Sequence, residues 1–291
     1  MSNNKTQSAT DSVRIPNQEE LDAAALRARE KAAVNEGLRL PWNRMVVIGD
    51  SFAEGVGDPD DTAPGGLRGW ADRVATVLAK HNPDLAYANL AVRGKVIDQV
   101  IAEQVDKALA LKPDLVFISA GGNDVLRPKA NIIEIIAKQE SIVKRFTEAG
   151  ATVVLFSAFD SSEGVFKAIY SRAALYSMHQ RTVAERYDAI IVNLWARTEL
   201  TDSRYWAEDR LHLNPLGHHA VAICILDSLN VPHSLEARKP EPAPVRTWRE
   251  ARKEDAVWAR EYLLPWVIRR IRRVSSGDNV EPKRPEPGPV E

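Results

Sequence analysis

The chain has a single cysteine, Cys224. No disulfide can form within it, which fits a reducing compartment. No apolar run reaches the roughly 20 residues needed to cross a bilayer. Neither sign of charge prevails: 39 Lys and Arg stand against 40 Asp and Glu, for a net charge of -1. That balance argues against binding nucleic acid through its phosphates. Met1 to Gln18 is polar and lacks an apolar h-region, so no secretory signal is expected and the expected location is cytoplasmic. Two familiar glycine motifs are also missing. Ala53 stands where a nucleophile elbow would carry its second glycine. Gly55-Val56-Gly57 runs into Asp58-Pro59 with no third glycine in register and no helix opening, so no dinucleotide is expected. His218 and His219 follow His212 closely, but neighbours on a helix point about 100° apart and no metalloprotease spacing is present. No metal or other cofactor is expected.

What remains is ordinary for a soluble globular protein, with 44% apolar and 27% charged residues. The organising stretch is Met45-Val46-Val47-Ile48-Gly49-Asp50-Ser51. Its apolar, mostly β-branched run reads as a buried parallel strand ending in a polar turn. Further strands are expected at 85–90, 115–119, 152–156 and 189–194. Helical spacing is expected over 67–80, 96–111, 131–149 and 165–187, and again from Pro215 to Leu229, with Pro215 in a first turn. Alternation of strand and helix predicts an α/β fold: a parallel sheet with helices on both faces, joined right-handed.

In such sheets the ligand crevice lies beyond the carboxyl ends of the strands. Ser51 falls there. So do Asn89 to Gly94, Gly121-Gly122-Asn123-Asp124 and, beyond the fifth strand, Glu208 to His212. Each has a chemical reading. A serine hydroxyl needs a base to become a nucleophile, and a histidine such as His212 can take its proton near neutral pH. Asp209, three residues upstream, can orient the imidazole. An oxyanion needs fixed donors: the Ser51 N–H, the Gly94 N–H and the Asn123 side-chain amide. Asp50 reads as a turn-ordering carboxylate and Asp124 as a loop-holding one.

These blocks, in this order, resemble the four signature blocks of the SGNH hydrolases, the GDSL esterase/lipase family, over about residues 43 to 230. The resemblance implies a three-layer α/β/α sandwich with about five parallel strands. It implies Ser51 as nucleophile, Asp209 and His212 completing the triad, and Ser51, Gly94 and Asn123 forming the oxyanion hole. The implied activity is hydrolysis of a small ester or acylated substrate. An acyltransferase on the same site and a non-catalytic binding module are the alternatives.

Five segments are expected: a polar N-terminus with a leading helix (1–42), the hydrolase domain (43–232), a Pro-rich linker (233–246), an amphipathic basic helix (247–274) and a disordered tail (275–291). The basic helix reads as a cap on the domain. The alternative is contact with an anionic membrane surface or a protein partner, since its end gathers Arg269, Arg270, Arg272 and Arg273.

Overall fold

The computed structural model describes residues 40–162, 164–243, 247–265, 268 and 275–290. The expected leading helix at 18–36 and the arginine cluster at 269–273 lie outside these residues. Five parallel strands form the sheet: β1 (Arg44–Gly49), β2 (Ala86–Asn89), β3 (Leu115–Ser119), β4 (Thr152–Phe156) and β5 (Ile190–Val192). Their spatial order is β5-β4-β3-β1-β2. The chain therefore starts in the middle and winds out to each side in turn, leaving a crevice beside the end of β1.

Strand residues alternate between two buried layers. Met45, Val47, Phe117 and Phe156 join one core with Trp70, Val74 and Leu78 of α2 (Gly69–His81) and Val221 and Ile225 of α8 (Pro215–Ser228). Val46, Ile48, Val116, Ile118 and Leu155 join the other. There they meet Val100 of α3 (Ile97–Val100), Val143 and Phe146 of α6 (Ile132–Glu148), and Val183 of α7 (Tyr170–Arg186). This is the three-layer α/β/α arrangement. A π-helical turn (Ile101–Val105) links α3 to α4 (Asp106–Ala110). Two short helices open beyond strand ends, α1 (Ser51–Glu54) after β1 and α5 (Gly122–Val125) after β3.

One expectation needs correction. The tail at 275–291, expected to be disordered, contributes a sixth strand, β6 (Arg284–Gly288), antiparallel to β2 at the sheet edge. Its prolines do not prevent this. They fall at alternate positions, Pro285 and Pro287, and an edge strand needs only every second residue to bond its neighbour. Two side chains fasten it. Arg284 lies over the Tyr87 ring, 5.3 Å from its centroid. Lys283 Nζ is buried and donates to the carbonyls of Leu67 (3.0 Å) and Arg68 (2.8 Å) and to Asp72 Oδ2 (2.8 Å).

The linker follows the surface as a strap. Tyr205 Oη donates to the Arg238 carbonyl, and His219 Nε2 bonds the Glu236 carbonyl. Beyond it, α9 (Trp248–Trp258) begins with a capping box at Thr247 and Glu250 and runs on as a π-helical turn to Leu263.

Candidate active site

The end of β1 is built to expose Ser51. Gly49 takes φ +147°, and a Cβ there would sit 2.1 Å from the Ser119 carbonyl oxygen of β3. Only glycine allows the two strand ends to close up at this point. Gln104, buried in the π-helical turn, bonds both of the glycine's backbone groups: Gly49 N–H donates to Gln104 Oε1 (2.8 Å), and Gln104 Nε2 donates to the Gly49 carbonyl (2.9 Å), which also accepts from Val92 N–H (3.3 Å). Asp50 then caps α1, accepting from Phe52 N–H at 3.2 Å. Ser51 occupies the first helical position, where a backbone N–H has no intrahelical acceptor. It is therefore available to a developing negative charge.

Ser51, Asn123 and His212 line one cavity together with Asp50. Most of the remaining wall is apolar, including Phe52, Leu126, Phe159, Trp206 and Leu213. Behind the cavity, His212 Nδ1 bonds Asp209 Oδ2 at 2.5 Å. Asp209 Oδ1 accepts from the N–H groups of Leu211 (2.9 Å) and His212 (3.0 Å). Burial pushes the Asp209 carboxyl up, but the His212 hydrogen bond and charge and these two N–H groups outweigh it. The net shift is downward, so the carboxylate stays ionised. An ionised Asp209 accepting from Nδ1–H fixes the tautomer that leaves Nε2 unprotonated, the form a general base requires.

Asn123 donates to the Lys95 carbonyl (3.0 Å) and more weakly to Asp50 Oδ2 (3.3 Å). Burial pushes the Asp50 carboxyl up to about 7. Asp124 holds the next loop, accepting from Ile97 N–H at 2.9 Å, and burial raises its carboxyl as well. Gly94 is next to Lys95 but is not among the cavity-lining residues. It takes φ +74°, and a Cβ there would meet Ser275 Oγ at 2.3 Å. The tail thus lies directly on this loop.

Two supports were missed by reading the sequence. Gln104 is one. The other is buried Glu54, whose Oε2 accepts from Arg93 N–H (2.6 Å) and whose Oε1 accepts from the half-buried Arg93 guanidinium (2.5 Å). It ties the Gly94 loop to the helix carrying Ser51. Partners 39 and 55 positions apart leave no local pattern to find. His218, by contrast, is structural. Its Nδ1 accepts from Trp70 N–H, its Nε2 bonds the Val56 carbonyl, and burial lowers its pKa to about 4. Among the described residues no group of three or more His, Cys, Asp or Glu could hold a metal ion.

Residues 47–220, more than half of the chain, match the family model described as the GDSL-like lipase/acylhydrolase family. The chain belongs to this family. A curated relative, an arylesterase of Vibrio mimicus, is 28% identical over 114 residues, which cover 38% of this chain and 52% of that protein. The chain thus spans about half the length of that relative.

Solved structures with the same fold include LAE5, an α/β hydrolase enzyme from the metagenome of Lake Arreo, Spain. It is 21% identical with a TM-score of 0.56, and the match covers 66% of this chain and 96% of that one. Axe2, an acetylxylan esterase from Geobacillus stearothermophilus, is 20% identical with a TM-score of 0.55, covering 67% and 97%. Both structures are matched almost end to end, while about a third of this chain lies beyond the match.

Proposed function

We propose that the protein hydrolyses carboxylic esters through an acyl-enzyme on Ser51. The observation that carries this reading is the meeting of Ser51, Asn123 and His212 around one cavity, with His212 Nδ1 held by Asp209. In the first step His212 Nε2 takes the Ser51 hydroxyl proton as Oγ attacks the ester carbonyl carbon. The carbonyl oxygen becomes an oxyanion facing the N–H of Ser51 and the amide of Asn123, both on the cavity wall; Gly94, expected as a third donor, does not line it. Collapse breaks the bond to the alcohol oxygen, which leaves with the proton from His212. Water then repeats the sequence on the acyl group and regenerates the serine.

Catalytic mutants of the Geobacillus esterase replace a serine, an aspartate and a histidine, the last two three positions apart. Asp209 and His212 keep that spacing. The apolar wall suits an ester with an apolar acyl or alcohol group. Gln180 Oε1 and Ser161 Oγ lie in the same wall, buried and without hydrogen-bond partners among the described residues. They mark where a polar group on the substrate would sit.

The test is turnover of a p-nitrophenyl ester series of increasing acyl length, with covalent labelling by a fluorophosphonate. Ser51→Ala should abolish both. Labelling or turnover that survives in Ser51→Ala overturns the reading.

A further inference from the structure

The turn that carries Asp209 and His212 is held from two sides. From the core side, Ala207 N–H donates to the His212 carbonyl (2.8 Å), and Asn214 Nδ2 donates to the Trp206 carbonyl (3.2 Å). The outer side is held by the C-terminal helix, which lies outside the region that defines the family. Three consecutive turn residues each receive a contact from it. Tyr262 Oη donates to Glu208 Oε2 at 3.0 Å. Trp258 Nε1–H donates to the backbone carbonyl of Asp209 at 3.0 Å. Arg210 bonds Asp255 Oδ1 at 2.8 Å and stacks under the Trp258 ring, 4.9 Å from its centroid.

The turn needs such holding. Arg210 sits at φ +56°, a conformation that side chains other than glycine adopt only when their surroundings impose it. The peptide that Trp258 grips joins Asp209 to this strained residue. Its orientation sets where the Asp209 carboxylate points, and so where the His212 ring points. Among the described residues, none of the helix lines the cavity. Whatever the helix contributes must pass through the turn and not through contact with substrate.

We propose that Trp258 is a positioning residue for the Asp209–His212 pair, and that the C-terminal helix is an outer splint of the catalytic turn particular to this chain. The proposal rests on the assignment of Asp209 and His212 as catalytic. Trp258→Phe keeps an aromatic face for Arg210 and removes the indole N–H with its five-membered ring. Losing one hydrogen bond of this kind predicts a fall in kcat of about fivefold. Trp258→Ala removes the stacked ring as well and predicts a fall of about tenfold or more. In both, KM should stay within about twofold, and Ser51 labelling by a fluorophosphonate should slow in the same proportion as kcat, because no binding contact is lost.

A lowered melting temperature with kcat unchanged would mean the contact is merely structural and would overturn the proposal. So would a rise in KM alone. If the Trp258 variants do not fold, Tyr262→Phe, at a partly exposed position, takes over the test. It should lower kcat by about twofold at constant KM, and an unchanged kcat then counts against the splint. Ser51→Ala separates the two ideas. If it stays active, the catalytic assignment fails. If it is inert while Trp258→Phe turns over at the parental rate, only the splint fails.

Discussion

The doubly wound core and the C-terminal arm both support the proposed catalytic groups, but in different ways. The core holds them from within: buried Gln104 bonds reciprocally to the N–H and carbonyl of Gly49, and buried Glu54 accepts from the N–H and the guanidinium of half-buried Arg93. The arm, comprising α9 and the tail with β6, holds them from outside through single bonds at partly exposed positions, Trp258 and Tyr262 above all. Buried reciprocal bonds are lost only with global unfolding, whereas peripheral single bonds open at low cost. The core therefore sets which chemistry is possible, and the arm sets how often the groups are correctly aimed.

Removing a reacting group from the core should produce the largest effect. Asn123→Ala deletes an oxyanion donor and should lower kcat by about 10²–10³ with the fold intact. Circular dichroism and ester kinetics together check this. A parental kcat would transfer the donor role elsewhere.

A smaller effect, on stability and not on chemistry, should follow from loosening the arm. Lys283→Met leaves Asp72 without its buried partner and should cost about 2–3 kcal/mol, measured by urea unfolding. Limited proteolysis should then cut the tail first. If the core and the tail unfold together with no early cleavage, the two regions are one cooperative unit and the contrast drawn above is wrong.

The smallest effect concerns pH. The Asp50 carboxyl is neutral in the fold below about 7 and ionises above it. Ionised, it competes for the Asn123 amide and sets a negative charge beside the oxyanion. Activity on this account falls as pH rises through about 7. Stability follows the same sign. A carboxyl whose folded pKa lies above its unfolded value favours the fold at acid pH, and that contribution is lost as pH climbs through the folded pKa. Asp50→Asn should flatten both trends across pH 6 to 8. An alkaline limb of kcat/KM unchanged in Asp50→Asn would assign it to another group.

The same contrast explains what could be read from the sequence. Every parallel strand but β2 is a run carrying β-branched residues, and period-2 burial follows from it, so the sheet and the meeting of Ser51, Asn123 and His212 at one cavity were legible. A helix over 247–274 was expected from the apolar side that its tryptophans form, and α9 falls within it. Its target was not legible. Trp258 and Asp209 are 49 positions apart, joined by an indole N–H and a backbone carbonyl that any residue could offer. The tail misled for another reason. Proline and glutamate together suggest a solvated chain, and only the free edge of β2, a tertiary fact, turns alternate prolines into a strand.

Those prolines have a consequence for how molecules of this protein meet one another. A sheet that ends in a bare strand invites a neighbour to add its own, and so begins aggregation. Here the last strand carries Pro285 and Pro287, which have no N–H to offer, while Arg284 and Gly288 on either side of them already pair with β2. At the opposite margin β5 is only three residues long. An incoming chain thus finds too few free donors on one flank and too short a template on the other, and the protein can be crowded at high concentration without its sheets fusing.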